Sequence, residues 1–337
     1  MTFAPLFWLP DLMSDILTLA RAHARSGKAA EAEAMLEEAS DAGNGDASAE
    51  LGLWLLRGDQ ISRDVSRARR FLGRAARSGN EEAILLEIAL SANGSGGKVD
   101  WPTALGLLRK GARHHDYLRR ELEIVENLDL DDDGYPKRPP RGTLIDERVR
   151  MIRYPSFLSA AECQHLANIA LNTLRPSTVF DPNTGHQIAN PIRSSDGTII
   201  GPAQEDLVVQ AICRRIAVTS GTSLQHGEPI SILRYSPGHE YKPHFDAIGS
   251  ARNNRAKTML MYLNDAYAGG QTAFPAMGLS IEPTAGDAVI FDGLDADGSV
   301  QSLSLHAGLP VLRGQKWVAT RWIRQQPFDP WTVAQDK

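Results

Sequence analysis

His244 and Asp246 stand two residues apart in EYKPHFDAIG, and in an extended segment side chains two apart project from the same face. An imidazole and a carboxylate so placed can chelate one cation. A second imidazole would complete three ligands on one face of an octahedron, a set that suits Fe(II) in oxygen chemistry because the opposite face stays open. His306, in SLSLHAGLP at the end of a strand-like run 60 residues after Asp246, is best placed to supply it. Ten residues further comes Lys316 in RGQKWVATRW, on a strand expected to run antiparallel to the one ending at His306. Its neighbours are apolar and aromatic, and burying an unpaired ammonium is costly. A dicarboxylate ligand would resolve that cost. The bland alternative puts Lys316 on a solvated strand face, and His-x-Asp alone occurs often by chance, so the surrounding segments carry the weight.

Those segments describe a β-rich domain. FLSAAECQHLANIALNTL has helical spacing, with Ser159 as N-cap and Glu162 closing a capping box. A second helix is expected from Glu205 to about Val218. ISILRY, KTMLMYLN, DAVIFDG and WVATRWIR then read as strands, separated by Pro-Gly, Asn-Asp, Gly-Gly and Ala-Gly-Asp turns. Short antiparallel strands closing into a barrel or jelly roll follow. A parallel sheet does not, because there is no strand-helix alternation and no glycine-rich phosphate loop.

From Met151 to Phe328 the chain resembles the prolyl 4-hydroxylase branch of the 2-oxoglutarate and Fe(II) oxygenases, through FLSAAEC, ILRYSPGHEYKPHFD, TMLMYLND, GGQTAFP, AGDAVIF and SLHAGLPVLRGQKWVATRWIR. The resemblance implies a double-stranded β-helix. It also implies iron on His244, Asp246 and His306, and the distal carboxylate of 2-oxoglutarate on Lys316. Tyr235 and Tyr262 fall where hydroxyls help bind co-substrate, Thr272 lies in the GGQT motif near the same pocket, and Trp322 falls at the motif tryptophan close to the metal strand. Core packing alone is the alternative for Tyr262 and Trp322, since buried aromatics usually need no function. Gln271 replaces the glutamate commonest after the two glycines, which puts an ion pair there in doubt. Arg193, Ser194 and Ser195 match an RTS-like segment, which makes Arg193 the candidate substrate contact. The loop from about Asp181 to Gly201, rich in Pro, Asn, Gly and Asp, is a candidate lid. The implied reaction consumes O2 and decarboxylates 2-oxoglutarate to succinate while hydroxylating an unactivated carbon, with ascorbate as reductant.

Residues 12–125 are rich in Ala, Leu, Glu and Arg and repeat at an offset of 36: Ala32, Ala68, Ala104; Met35, Phe71, Leu107; Leu36, Leu72, Leu108; Ser40, Ala76, Ala112. Gly43 to Gly79, Gly58 to Gly94 and Asp64 to Asp100 keep the same step. Small residues at fixed places let paired helices approach, and large apolar ones bury one face against the next repeat. These residues resemble the Sel1-like branch of the tetratricopeptide family over roughly a third of the chain, except that His115 stands where the third unit should have its glycine. The resemblance implies a surface for a protein partner; simple packing as a stabiliser is the alternative. The adjacent His114 and His115 would point about 100° apart on a helix and could not easily share a metal.

The expected whole is therefore an α+β multidomain chain: a helical repeat domain over 12–125, a linker over 126–148 that is acidic and then proline-rich and basic, and an oxygenase domain over 149–328. A formal charge of −5 with no basic block disfavours nucleic acid, and no apolar run is long enough to cross a membrane. The opening MTFAPLFWLPDLMSD lacks a basic flank and is broken by Pro5 and Pro10, so it does not read as a signal peptide. Two cysteines, Cys163 and Cys213, make no disulfide framework and read as buried thiols in a cytoplasmic protein. The leading expectation for the substrate is C4 of a prolyl residue in a peptide or protein. A free amino acid or small metabolite is the enzymatic alternative, and a repeat scaffold carrying an inert oxygenase fold is the non-enzymatic one.

Overall fold

Positions 36 residues apart do the same structural job in the first third of the chain. The computed structural model describes residues 11–180, 186–248 and 251–332. The apolar opening, residues 1–10, and residues 181–185 of the expected lid lie outside these. Helices α1 (Asp11–Arg25), α2 (Ala29–Asp41), α3 (Gly45–Arg57), α4 (Val65–Arg77), α5 (Glu81–Asn93), α6 (Trp101–Gly111) and α7 (Asp116–Glu126) follow in order, and each of α1 to α5 packs on the next. Ala32, Ala68 and Ala104 are fully buried, as are Leu36, Leu72 and Leu108. The caps keep the step too. Asn44 and Asn80 accept backbone N–H groups at the starts of α3 and α5, and Asp64 and Asp100 do so for α4 and α6. Gly58 and Gly94 end α3 and α5 in the left-handed region, at φ 73° and 79°, where a side chain would be strained. At His115 the step lapses: Gly43 and Gly79 turn at φ 93° and 90°, whereas His115 avoids positive φ. Its Nε2 instead lies 3.7 Å from Glu81.

This helical unit runs to Leu122 and takes in Ala203–Leu207; a second unit holds Glu123–Pro202 and the chain from Val208. The expected linker over 126–148 is only partly a connector, because its end forms β1 (Thr143–Asp146), paired antiparallel to β2 (Met151–Tyr154). Four residues of edge strand are too few to show a period in sequence. Next comes α8 (Ala160–Leu171), opened by the expected Ser159–Glu162 capping box. Glu162 also accepts from Arg215 at 2.8 Å, which ties α8 to the second expected helix, found as α9 (Leu207–Ser220). Between them run β3 (Arg175–Pro176), β4 (Thr178–Phe180), β5 (Gln187–Ala189) and β6 (Asp196–Ile200).

The remaining strands are β7 (Ile230–Tyr235), β8 (Tyr241–His244), β9 (Arg255–Tyr262), β10 (Tyr267–Gly269), β11 (Thr272–Phe274), β12 (Leu279–Ile281), β13 (Ala288–Asp292), β14 (His306–Gly308), β15 (Val311–Gly314) and β16 (Lys316–Arg324). One sheet has the order β1-β2-β13-β9-β16-β7-β6-β3 and a smaller one β12-β11-β14-β8. Their pairings are antiparallel, as expected for the jelly-roll class. Leu233, Tyr235, Leu260, Tyr262 and Val318 of the large sheet share one core with Phe274 and Ile281 of the small one. Ile232, Met261 and Ala319, which alternate with them, are buried as well. Both faces of the large sheet are therefore covered, with α8 packed on β6 and β7, and its strands read in sequence as near-continuous apolar runs. One expectation fails here. β16 pairs with β7 and β9, while β14 pairs with β8 and β11, so Lys316 and His306 belong to different sheets. The intervening β15 pairs with β10, so the Lys316 strand is not paired antiparallel to the His306 strand as expected.

Candidate metal centre

His244 closes β8 and His306 opens β14, and the ladder between these strands sets the two directly opposite each other. Asp246 lies just past the end of β8, in the following turn, so the turn rather than the strand brings it round to His244. The three side chains offer ligand atoms that all lie within 4.8 Å of one another. Asp246 stands 3.8 Å from His244 Nε2 and 3.5 Å from His306 Nε2. Each imidazole is oriented through its other nitrogen: His244 Nδ1 meets the Lys242 carbonyl at 2.8 Å and His306 Nδ1 the Ser304 carbonyl at 2.9 Å. A carbonyl can only accept, so Nδ1 carries the proton and Nε2 presents a lone pair inward.

The charge states suit a cation. Burial and the facing His306 lower the His244 pKa to about 4, so its ring is neutral near pH 7. Burial alone would raise Asp246, but His306, His244 and the Thr258 hydroxyl, which donates at 2.7 Å, outweigh it and hold the carboxyl below its ordinary value. Aromatic rings fix the imidazoles laterally. Tyr241 stacks on His244 with centroids 3.5 Å apart, while Phe274 and Phe291 pack on His306 at 5.5 and 5.1 Å.

The same cavity, enclosing about 440 Å³ of space open to solvent, is lined at another point by Lys316. Lys316 is 4% exposed, and its Nζ donates to the Gly270 carbonyl at 2.7 Å and lies 3.4 Å from Thr272 Oγ1. Among the described residues no carboxylate faces it, and burial alone brings its pKa down to about 8. Gly270 permits this close approach: its φ is +68°, and a Cβ there would come within 3.3 Å of the lysine's Cδ.

Residues 230–324 match the family model of the 2OG-Fe(II) oxygenase superfamily. The chain is 40% identical over 196 residues to prolyl 4-hydroxylase 1 of Arabidopsis thaliana, covering 52% of this chain and 69% of that protein. It belongs to the prolyl 4-hydroxylase family. A second relative, probable prolyl 4-hydroxylase 3 of Arabidopsis thaliana, is 34% identical over 216 residues, covering 57% of this chain and 75% of the relative. Among solved structures, the viral collagen prolyl hydroxylase of Paramecium Bursaria Chlorella virus-1 is 26% identical with a TM-score of 0.43, covering 52% of this chain and 95% of that one. A Sel1 repeat protein from Oxalobacter formigenes is 22% identical with a TM-score of 0.30, covering 33% of this chain and 87% of that one.

The chain is thus a 2-oxoglutarate-dependent dioxygenase, and its buried residues fit what that chemistry needs. Two imidazoles with Nε2 turned inward and a carboxylate suit Fe(II), and an ammonium without an anion suits a dicarboxylate. Of the other residues singled out in the sequence, Tyr235, Thr272 and Trp322 line the cavity. Tyr262 does not line it; its hydroxyl donates to Thr272 at 2.9 Å and so supports the wall from behind. Trp322 Nε1 is buried and makes no hydrogen bond of good geometry, yet lies near enough to Asp246 to favour its charged form. Arg193 sits 5.4 Å over the Tyr241 ring and donates to Ser177 at 3.1 Å, which puts it one ring removed from His244. Gln271 bonds Glu282 at 3.2 Å, without a charge pair. Burial pushes the Cys163 thiol up to about 11, in keeping with an inert thiol.

Sequence reasoning missed the residues that aim the ligands. Thr258 was readable, because in KTMLMY it alternates with Leu260 and Tyr262 on the inward face. Arg255 was not: it lies 3.7 Å over Trp322, bonds the Asp246 carbonyl at 3.4 Å and pairs with Glu228. Glu228 also holds Arg324 at 2.7 Å, and no local pattern marks a network drawn from three separate segments.

Proposed function

We propose that this oxygenase hydroxylates C4 of prolyl residues in a peptide or protein, with 2-oxoglutarate decarboxylated to succinate and ascorbate serving as reductant. The observation that carries the reading is the convergence of His244, Asp246 and His306 in one cavity with a buried ammonium, Lys316, that has no anion of its own. The prolyl assignment rests on the 40% identity to a prolyl 4-hydroxylase. Fe(II) with 2-oxoglutarate and O2 supplies the oxidising chemistry, which turns C–H into C–OH while giving succinate and carbon dioxide. The chain's own residues do the positioning. His244 and His306 through Nε2 and Asp246 through its carboxylate hold the metal, and Lys316 neutralises the distal carboxylate. Leu233, Leu260 and Val318 make an apolar wall that limits water. Tyr241 lines the cavity beside His244, and Arg193 over its ring is the candidate contact for a prolyl substrate. The free thiols of Cys163 and Cys213 support a reducing, cytoplasmic setting.

Mass spectrometry of proline-containing peptides incubated with Fe(II) and 2-oxoglutarate tests this, with succinate measured in parallel. A one-oxygen mass gain on proline is expected. Turnover of a free amino acid with no peptide product would make the protein a small-metabolite hydroxylase, and no succinate above the His244→Ala background would make it a scaffold.

A further inference from the structure

A second cleft lies on the helical array, between α4 and the residues leading into α6, and encloses about 1100 Å³ of space open to solvent. One wall is a single face of α4, where Ser66, Arg70, Gly73 and Arg77 follow at helical spacing. Arg69 and Arg74 flank that face, and Lys98 comes from the opposite side. The α4 sequence, VSRARRFLGRAAR, carries no acidic residue to offset its arginines. Two of these cations are occupied: Arg69 pairs with Glu87 at 3.4 Å and Arg74 with Asp41 at 2.7 Å. Arg70 and Lys98 are exposed and, among the described residues, stand in no ion pair; Arg77, also exposed, makes no close ion pair and feels only the longer-range attraction of Glu87.

Two further features fit a ligand. Glu87 lines the cleft, and its Oε2 is buried with no hydrogen-bond partner. Gly73 occupies the middle of a helix, where glycine is unfavourable, yet a Cβ there would meet nothing closer than Arg77 at 3.5 Å. Packing does not demand the glycine, and its position lies on the wall of the cleft.

We infer that this cleft binds an acidic peptide segment in extended conformation, with carboxylates on Arg70, Arg77 and Lys98 and a backbone N–H on Glu87. Arg70 and Arg77 lie about 10 Å apart along the helix, a distance that an extended chain covers in about three residues. A nucleic-acid backbone fits less well, because its phosphates and sugars offer no backbone N–H to the Glu87 carboxylate in the lining. The inference concerns the helical array alone and is independent of the substrate of the oxygenase.

The test is fluorescence anisotropy of a fluorescein-labelled oligo-glutamate peptide with the full chain at low salt, with an oligo-glutamine peptide and single-stranded RNA as unlabelled competitors. The glutamate peptide should bind, bind more weakly as salt rises, and resist both competitors. The Arg70→Glu/Arg77→Glu variant should weaken binding by at least about tenfold, as expected when two exposed charge contacts become repulsive. Gly73→Leu leaves every charge in place and favours the helix, and should weaken binding by filling the cleft; far-UV circular dichroism checks that both variants fold. Absence of binding, equal binding by parent and variants, equal competition by the glutamine peptide, or displacement by RNA would each overturn the inference.

Discussion

In the helical array, Leu36, Leu72 and Leu108 each fill the same kind of gap one repeat apart, whereas in the double-sheet unit His244, Asp246, His306 and Lys316 do four different jobs within one cavity. The array is built from nearest-neighbour contacts, so stability accumulates repeat by repeat and function needs only an exposed face. The metal centre is built from non-local pairings, the ladder of β8 with β14 and that of β16 with β7, so it exists whole or not at all. A change to the array should therefore act on stability, and a change to the centre on chemistry.

The largest effect should come from His244→Ala. With the opposing His306 retained but one ligand gone, iron affinity and succinate formation should fall by at least about 100-fold, since even residues behind a ligand change these by 10–100-fold. The melting temperature should move little. Retention of activity near the parent level would remove the triad from the mechanism and with it this half of the contrast.

Leu72→Ala inverts that pattern. Leu72 is fully buried in α4, and truncating such a side chain costs about 2–5 kcal/mol. The loss should appear in denaturant unfolding of the helical unit, while kcat for the oxygenase reaction at permissive temperature stays within about twofold, as the centre shares no residue with α4. A parallel collapse of turnover would show that the two regions are not separable.

Lys316 supplies the next effect, through pH. Its folded pKa is about 8, depressed by burial, so the ammonium dominates below that value and disappears as pH rises through it. The carboxylates of 2-oxoglutarate stay ionised over the same range, so the lysine alone sets the trend. KM for 2-oxoglutarate should be flat below about pH 8 and rise by roughly tenfold per unit above it, because each unit of missing protonation must be supplied on binding. Lys316→Met should abolish the bend as well as weaken binding, and a parent profile without a bend would argue against an unpaired ammonium.

The same contrast governs how much could be read in advance. The array's helices were legible because one step of 36 recurs in Ala, Leu, Asp and Gly together, and it failed only at His115, where the sequence itself departs. The clustering of His244, Asp246 and His306 and the burial of Lys316 were legible from the motifs around them, since His-x-Asp alone is too common to mark a site. Their setting was not, because β15 turns away to pair with β10 and puts His306 and Lys316 in different sheets. Nor was the Glu228–Arg255–Arg324 network, whose members lie far apart in the chain and acquire meaning only beside Trp322. Local periodicity encodes elements, whereas long-range register has no local signature.

The smallest effect sharpens the comparison furthest. Asp64 accepts the Arg67 N–H at 2.9 Å at the start of α4, and Asp100 accepts the Thr103 N–H at 2.9 Å at the start of α6. They are the same cap one repeat apart, so Asp64→Ala and Asp100→Ala should each cost about 1 kcal/mol. In a chain of nearest-neighbour repeats two such caps share no partner, so the double variant should cost their sum to within about 0.5 kcal/mol. No comparable pair exists in the metal centre, where Asp246 touches both imidazoles and removing any one ligand leaves little for a second removal to take. Unfolding free energies of the two single variants and the double therefore decide the matter. Equal and additive costs mark a repeat that is physically periodic, and unequal or strongly coupled ones would mean that the 36-residue step is a pattern in the sequence without equivalence in energy.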